Sequence, residues 1–393
     1  MSYENNRLQY RTCKASGNKL SALGFGCMRF PQVGNEAERM ILAAIEGGVN
    51  FLDTAYIYPN SEKTLGAILH KHNLRGKVFL STKMPISMTK TYADFDKFFN
   101  EQLRRLKTDY IDYYLMHNIS NFTQWEMTKK LDVEKWLAEK KEAGQIRHVG
   151  FSYHGSGDDF PKVLDSYSWE CCMIQYNYYD ENYQAGKKGL IKAAEKGLSV
   201  FVMEPLLGGR LATGLPKKAA EAFHAADPEK TPVERALQWI WNHEEVTVVL
   251  SGMTNAKQAK ENMLYASRFA PLKDEELAVF SDVINIFKKS FKVKCTGCNY
   301  CLPCPKEIDI PARLAAYNAS YAQNYFTGVT MYLTGMGMMS RNPISVHLCN
   351  NCGKCEKNCP QNIEIRKELK KVASRFESLP FRVLLRIMKF ILR

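Results

Sequence analysis

The sequence predicts an α/β fold: a (β/α)8 barrel followed by a small, mostly helical domain that carries most of the cysteines. Three observations predict it. Eight short apolar runs rich in β-branched and aromatic residues recur between residues 21 and 252, helix-like segments separate them, and the alternation stops near Lys273, beyond which two cysteine runs appear. The chain has 393 residues, room for a barrel of about 250 residues and a second domain. A hydrophobic content of 45% and a charged content of 24% allow a substantial core.

The predicted strands are "SALGFG" (21–26), "NFLDTA" (50–55), "VFLSTK" (78–83), "IDYYLMH" (111–117), "HVGFSY" (148–153), "CMIQYN" (172–177), "LSVFVME" (198–204) and "VTVVLSG" (246–252). Their apolar character is continuous rather than alternating, as expected of parallel strands covered on both faces. Between them "EAERMILAAIEGG" (36–48), "YADFDKFFNEQLRRLK" (92–107) and "KGLIKAAEKG" (188–197) read as helices, two of them ending in glycine as a C-cap would. A doubly wound sheet is the alternative, but no G-x-G-x-x-G follows an early strand. "DEELAVFSDVINIFKKS" (274–290) is a final helix, which gives expected domains of 1–288, 289–375 and, as a basic amphipathic C-terminal helix, 376–393. Residues 306–348, between the cysteine runs, read as a helical insert containing "TGMGMMSRNP".

Barrel active sites lie at the C-terminal ends of the strands. Asp53 ends the second predicted strand, Tyr58 follows it in the loop, Lys83 ends the third and His117 ends the fourth. Around them, "FLDTAYIYPNSEKTLGAIL" (51–69) and "LRRLKTDYIDYYLMH" (103–117) closely resemble the two diagnostic segments of the aldo-keto reductases, a resemblance that covers about residues 7–285. It implies a TIM barrel with Asp53, Tyr58, Lys83 and His117 as catalytic tetrad, interconverting a carbonyl and an alcohol by hydride transfer. The residue types suit that chemistry. Reducing a carbonyl leaves an alkoxide, which needs a proton and a hydrogen-bond donor. A free phenol has a pKa of about 10 and is a poor acid at neutral pH, but an adjacent ammonium, Lys83, would stabilise the phenolate of Tyr58. Asp53 would hold Lys83, and His117 would donate to the substrate oxygen from a fixed tautomer. Taken singly, a loop tyrosine is usually a packing residue and a strand-end histidine a satisfied polar group; four such residues at successive strand ends favour catalysis.

The same resemblance places Ser152 and Gln175 on a nicotinamide carboxamide and Gly208, in "EPLLGGRL" (204–211), near a pyrophosphate. Ser251, Gly252, Gln258, Glu261 and Asn262 would hold the adenosine end, with Gly26, Met28, Arg29 and Met203 completing the cofactor contacts. Helix N-termini and backbone amides in such loops favour phosphate. Arg29, just after the first strand, could bind a substrate carboxylate or a cofactor phosphate, or equally form a salt bridge across the barrel rim. Three positions depart from the family: Tyr153 stands where Asn is usual, Met203 where an aromatic ring commonly stacks on the nicotinamide, and Gln258 where Arg often pairs with the 2′-phosphate of NADP, a charged fork Gln cannot form. NADP, NAD and a flavin (FMN) in place of the nicotinamide therefore stay open.

"CTGCNYCLPCP" (295–305) and "CNNCGKCEKNCP" (349–360) both contain the C-x2-C-x2-C core of bacterial ferredoxins and end in Cys-Pro. The second keeps the usual x3 before its last cysteine, whereas the first has x2. Resemblance to two-cluster ferredoxins implies a ferredoxin-like domain with two [4Fe-4S] clusters, one on Cys295, Cys298, Cys301 and Cys359, the other on Cys349, Cys352, Cys355 and Cys304. Zinc is the competing occupant, since paired C-x2-C motifs also bind it. A disulfide framework would need an oxidising compartment, which nothing in the sequence supports. Cys13, Cys27, Cys171 and Cys172 are scattered and read as packing residues, with Cys27, near the barrel mouth, the one to test for reactivity.

The formal net charge of +13 invites a nucleic-acid reading. Two four-iron clusters at about −2 each would lower it to about +9. Residues 366–393 hold nine basic side chains against two acidic ones, and no nucleic-acid module accompanies them. Steering of an acidic redox partner is expected instead. The tail "LPFRVLLRIMKFILR" (379–393) spaces Arg382, Arg386, Lys389 and Arg393 along one face; packing against protein is favoured over contact with a membrane surface. With no apolar leader and no apolar run of about 18 residues, the expectation is a cytoplasmic protein.

A nicotinamide passes two electrons as hydride and a four-iron cluster passes one, an interconversion for which flavin is the usual agent. Three arrangements stay open: structural or sensory clusters beside an ordinary nicotinamide enzyme, a flavin in the barrel, or clusters fed by an external ferredoxin or flavodoxin. The rival to an enzyme acting on a small carbonyl or alcohol is a redox-responsive binding protein whose barrel senses a nicotinamide. An intact tetrad argues against the rival, because sensing needs no proton donor.

Overall fold

The structure, a computed structural model, describes residues 8–31, 35–336 and 343–378. The chain divides into two compact units, one formed by Met1–Leu206 and Val233–Lys273, the other by Leu207–Pro232 and Asp274–Arg393.

The first unit opens with an antiparallel hairpin, β1 (Tyr10–Thr12) and β2 (Lys19–Ser21). Eight parallel strands follow: β3 (Leu23–Gly26), β4 (Phe51–Asp53), β5 (Phe79–Met84), β6 (Ile111–Ile119), β7 (Ile146–Tyr153), β8 (Cys171–Gln175), β9 (Ser199–Met203) and β10 (Val246–Ser251). They close into a barrel in the order β10-β3-β4-β5-β6-β7-β8-β9. Each apolar run of the sequence supplies one barrel strand. The first run differs in detail, since Ser21 ends the hairpin and the barrel strand begins only at Leu23.

Large apolar side chains fill the barrel interior. Phe51 packs against Phe201 at 4.6 Å between ring centroids and against Tyr113 at 5.4 Å, with Leu115, Met173 and Val248 in the same cluster. Leu20 and Cys13 from the hairpin region join it, and Asn18 Nδ2 donates to the Tyr113 hydroxyl at 3.0 Å. Each fully buried aromatic or aliphatic side chain contributes about 1.5–3 kcal/mol. The barrel is therefore a packed core rather than a channel.

The helices start and stop where local chemistry dictates. Tyr92–Leu106 begins with a capping box, in which the Asp94 carboxylate accepts from the Thr91 backbone N–H at 2.9 Å, and ends at Lys107 in the left-handed conformation. It buries Phe95, Phe99 and Leu106. The helices expected at 36–48 and 188–197 are Glu36–Glu46 and Gly186–Glu195.

In the second unit Lys217–Ala226 packs on Asp274–Ser290, with Phe223 edge-on to Phe280 at 5.4 Å. The insert between the cysteine runs is helical at Ile310–Ala322 and Tyr325–Gly335. These helices and Ile365–Phe376 enclose a core of Ile308, Ile310, Leu314, Val346, Leu369 and Val372, against which both cysteine runs pack. Asn318 ties the chain entering the first run to this core: its Oδ1 accepts from Lys292 and Val293 N–H at 3.0 and 2.9 Å, and its Nδ2 donates to the Val293 carbonyl at 2.7 Å. The basic tail at 379–393 and most of "TGMGMMSRNP" lie outside the described residues. Among the described residues no helix is long and apolar enough to cross a membrane.

Candidate functional site

The C-terminal ends of β4, β5 and β6 bring Asp53, Lys83 and His117 together beneath the loop that carries Tyr58. Lys83 is 1% exposed, and its Nζ donates to Asp53 Oδ1 at 2.8 Å, Asp53 Oδ2 at 2.7 Å and the Thr54 carbonyl at 2.7 Å. The three contacts use the full donor capacity of the ammonium and fix its position. Ser81 Oγ also donates to Asp53 Oδ1, at 2.9 Å. Burial pushes the Asp53 carboxyl up, and Lys83 and Ser81 oppose that push. Lys83 Nζ stands 5.2 Å from the centre of the Tyr58 ring, and the ring of His117 meets that of Tyr58 edge-on at 6.0 Å. Burial, then Lys83, then His154 hold His117 well below the usual histidine range, so it is neutral at physiological pH.

A second polar group lies at the ends of β6, β7 and β8. Ser152 Oγ accepts from the Asn118 backbone N–H at 2.8 Å. Gln175 Nε2 donates to Asp180 Oδ2 at 3.0 Å, and Gln184 Nε2 donates to Gln175 Oε1 at 3.4 Å. His154, buried beside Gln184, has its imidazole pushed down to about 4 by burial. Sequence reasoning did not single out His154, Gln184 or Asp180. The available signal was a histidine two residues beyond Ser152 at a strand end, where a polar ring is costly to bury without a partner.

The remaining expected cofactor residues divide. Arg29, in the turn Cys27–Arg29 after β3, passes close to Gly252, where a Cβ would stand 3.6 Å from Arg29 Cδ. Gly26, whose Cβ would meet the Ser251 carbonyl at 3.4 Å, and Met28 lie in the same corner. Asn262 Nδ2 donates to Ser251 Oγ at 2.8 Å, and both residues are buried. Gln258 Oε1 instead accepts from Thr254 N–H at 2.8 Å and helps start the helix Ala256–Arg268, while Glu261 lies 3.7 Å from Lys257 on the surface. Met203 ends β9, partly buried against the interior cluster. Gly208 falls in the other unit. Cys27 is fully buried with its thiol pushed well up by burial, which makes it a packing residue rather than a reactive one.

In the cysteine-bearing unit, Cys295, Cys298, Cys301 and Cys359 line one cavity, partly open to solvent, with Ile310 and Leu314. Cys304, Cys349, Cys352 and Cys355, with Cys301 again, line another. Burial, followed by the proximity of Cys295, Cys298 and Cys359, pushes the Cys301 thiol up to about 12. Thiols drawn from both runs surround each apolar cavity, an arrangement that suits a cubane cluster.

Residues 22–285 match the aldo/keto reductase family, and residues 294–365 match a 4Fe-4S dicluster domain. Among curated relatives, aldo-keto reductase str7 of Strobilurus tenacellus is 26% identical over 68% of this chain and 90% of its own length. The L-galactose dehydrogenase of Arabidopsis thaliana is 28% identical over 65% of this chain and 88% of its own. Among solved structures, the holo form of aldo-keto reductase AKR11C1 from Bacillus halodurans superposes with a TM-score of 0.61 at 26% identity, covering 70% of this chain and 96% of that one.

Proposed function

The chain belongs to the aldo/keto reductase family and joins that barrel to a 4Fe-4S dicluster domain, and from this premise we propose that it interconverts a small carbonyl compound and its alcohol with Tyr58 as the general acid and base. The observation that carries the reading is the ammonium of Lys83, locked by Asp53 and the Thr54 carbonyl at 2.7–2.8 Å and standing 5.2 Å from the Tyr58 ring. A fixed positive charge beside the phenol favours its phenolate, so Tyr58 can give a proton to the alkoxide and take one back in reverse. Neutral His117 donates an N–H to the substrate oxygen and orients the carbonyl without competing for the proton.

A bound nicotinamide would supply the hydride. The residues present fit one: Ser152 and Gln175 offer buried polar groups at adjacent strand ends, and Asn118 Oδ1, next to Ser152, is buried without a hydrogen-bond partner, as suits an acceptor for an amide N–H. Arg29, Gly252 and the N-terminus of the helix Ala256–Arg268 would receive the phosphate end. Gln258 brings no charge to a 2′-phosphate, which favours a cofactor without one. Cys295, Cys298, Cys301 and Cys359 would hold one [4Fe-4S] cluster and Cys304, Cys349, Cys352 and Cys355 the other, each passing single electrons to or from a partner protein.

Replacing Tyr58 by Phe tests the assignment. The variant should bind nicotinamide and keep its iron yet lose about 10²–10⁴ in kcat on carbonyl substrates. Unchanged turnover would remove Tyr58 from the mechanism.

A further inference from the structure

The segment Leu207–Arg210, which follows β9 in the chain, belongs to the cysteine-bearing unit and approaches the first cysteine run in two places. Gly208 has φ 66°, and a Cβ there would stand 2.2 Å from the Thr296 carbonyl oxygen and 2.9 Å from the Thr296 carbonyl carbon. Only glycine allows both this left-handed backbone and this approach. Two residues on, Arg210 Nη1 donates to the carbonyl oxygen of Cys295 at 3.4 Å. The guanidinium lies 4.2 Å from the centre of the Phe291 ring and 5.5 Å from that of Phe287, and those two rings stack on each other at 4.3 Å. The stacked pair holds the cationic plane in one place. Cys295 is one of the four thiols that line the cavity shared with Cys298, Cys301 and Cys359.

We propose that Leu207–Arg210 forms the outer shell of the cluster on Cys295, Cys298, Cys301 and Cys359, and that Arg210 is a positioning residue that raises the reduction potential of that cluster. The inference rests on the reading that these thiols hold a [4Fe-4S] cluster. Reduction adds one electron, taken from a one-electron donor, to a site whose net charge is already about −2. A fixed cation beside the ligand loop stabilises the more negative state, and its partial burial limits screening by salt. The hydrogen bond to Cys295 and the aromatic stack keep the charge from swinging into solvent. Gly208 lets this segment reach the cysteine run at all.

The test is a potentiometric titration of full-length, anaerobically prepared protein, with dithionite as reductant and electron paramagnetic resonance as readout. Wild type, Arg210→Gln and Arg210→Lys are compared, with iron and sulfide counted in each. The expected result is that one cluster in Arg210→Gln becomes about tenfold harder to reduce, a shift of about 59 mV for a one-electron couple. The second cluster should stay where it is, and Arg210→Lys should keep most of the wild-type value. Selective loss of half the iron from Arg210→Gln, with Arg210→Lys replete, would also support the placement. Unchanged midpoints in iron-replete Arg210→Gln, or equal shifts in the Gln and Lys variants, would overturn the role of the charge. Wild-type protein without iron and sulfide would overturn the cluster reading itself, a separate outcome.

Discussion

Replacing Asp53 by Asn should destabilise the barrel unit far more than the near-identical shape of the two side chains suggests. The carboxylate accepts from Lys83 on both oxygens and from Ser81 on one. An amide keeps one acceptor and turns a donor toward an ammonium that is 1% exposed. Breaking a buried ion pair on one side costs about 3–5 kcal/mol, because the remaining charge is left without its counter-charge. For a unit of this size that corresponds to a fall in Tm of about 6–20 °C. All five tryptophans lie in the barrel unit, so their emission during urea unfolding reports on that unit. The double variant Asp53→Asn/Lys83→Met removes the stranded cation and should recover at least half of the loss, while carbonyl turnover stays low in both. A single variant within about 1 kcal/mol of wild type, or a double variant as unstable as the sum of its two singles, would refute the reasoning.

Two further outcomes are expected. Burial pushes His154 down to about 4, so the folded barrel resists a proton that the unfolded chain accepts near its ordinary value of 6.5. Its contribution is present well above pH 6.5 and is lost as pH falls toward 4; between pH 7 and 4.5 that loss is about 2–3 kcal/mol. The wild-type loss between pH 7 and 4.5, measured by urea unfolding, should therefore exceed that of His154→Gln by about this amount, and equal losses would contradict it. In the cysteine-bearing unit, Cys359→Ser and Cys304→Ser should each halve the iron content while removing different resonance signals, and a single variant that lost all iron would contradict two separate ligand sets.

The barrel was legible because each strand is a self-contained apolar run, and a continuous run covered on both faces needs no long-range information to identify it. The gathering of Asp53, Lys83 and His117 was legible for a related reason: each lies at or near the end of such a run, and parallel strands bring their ends to one rim. The hairpin at Tyr10–Thr12 and Lys19–Ser21 was not, since three-residue strands carry no periodicity and are defined by pairing alone. The network of His154, Gln184, Gln175 and Asp180 draws on two loops whose approach is set by the tertiary fold. Cys27 lies near the barrel mouth in the sequence reading, but its side chain turns back to the Phe25 carbonyl at 3.6 Å and is buried. The grouping of Leu207–Pro232 with the cysteine-bearing unit depends on packing such as Phe223 on Phe280, which neither segment shows alone.

Isotope transfer tests hydride delivery most directly. Anaerobic protein is given nicotinamide deuterated at C4 and a carbonyl substrate that it turns over, and the alcohol is analysed by mass spectrometry. One deuterium on the carbinol carbon of the product, formed by wild type and nearly absent with Tyr58→Phe, is the predicted result. Alcohol formed without deuterium from the nicotinamide, at a rate that Tyr58→Phe leaves unchanged, would contradict it.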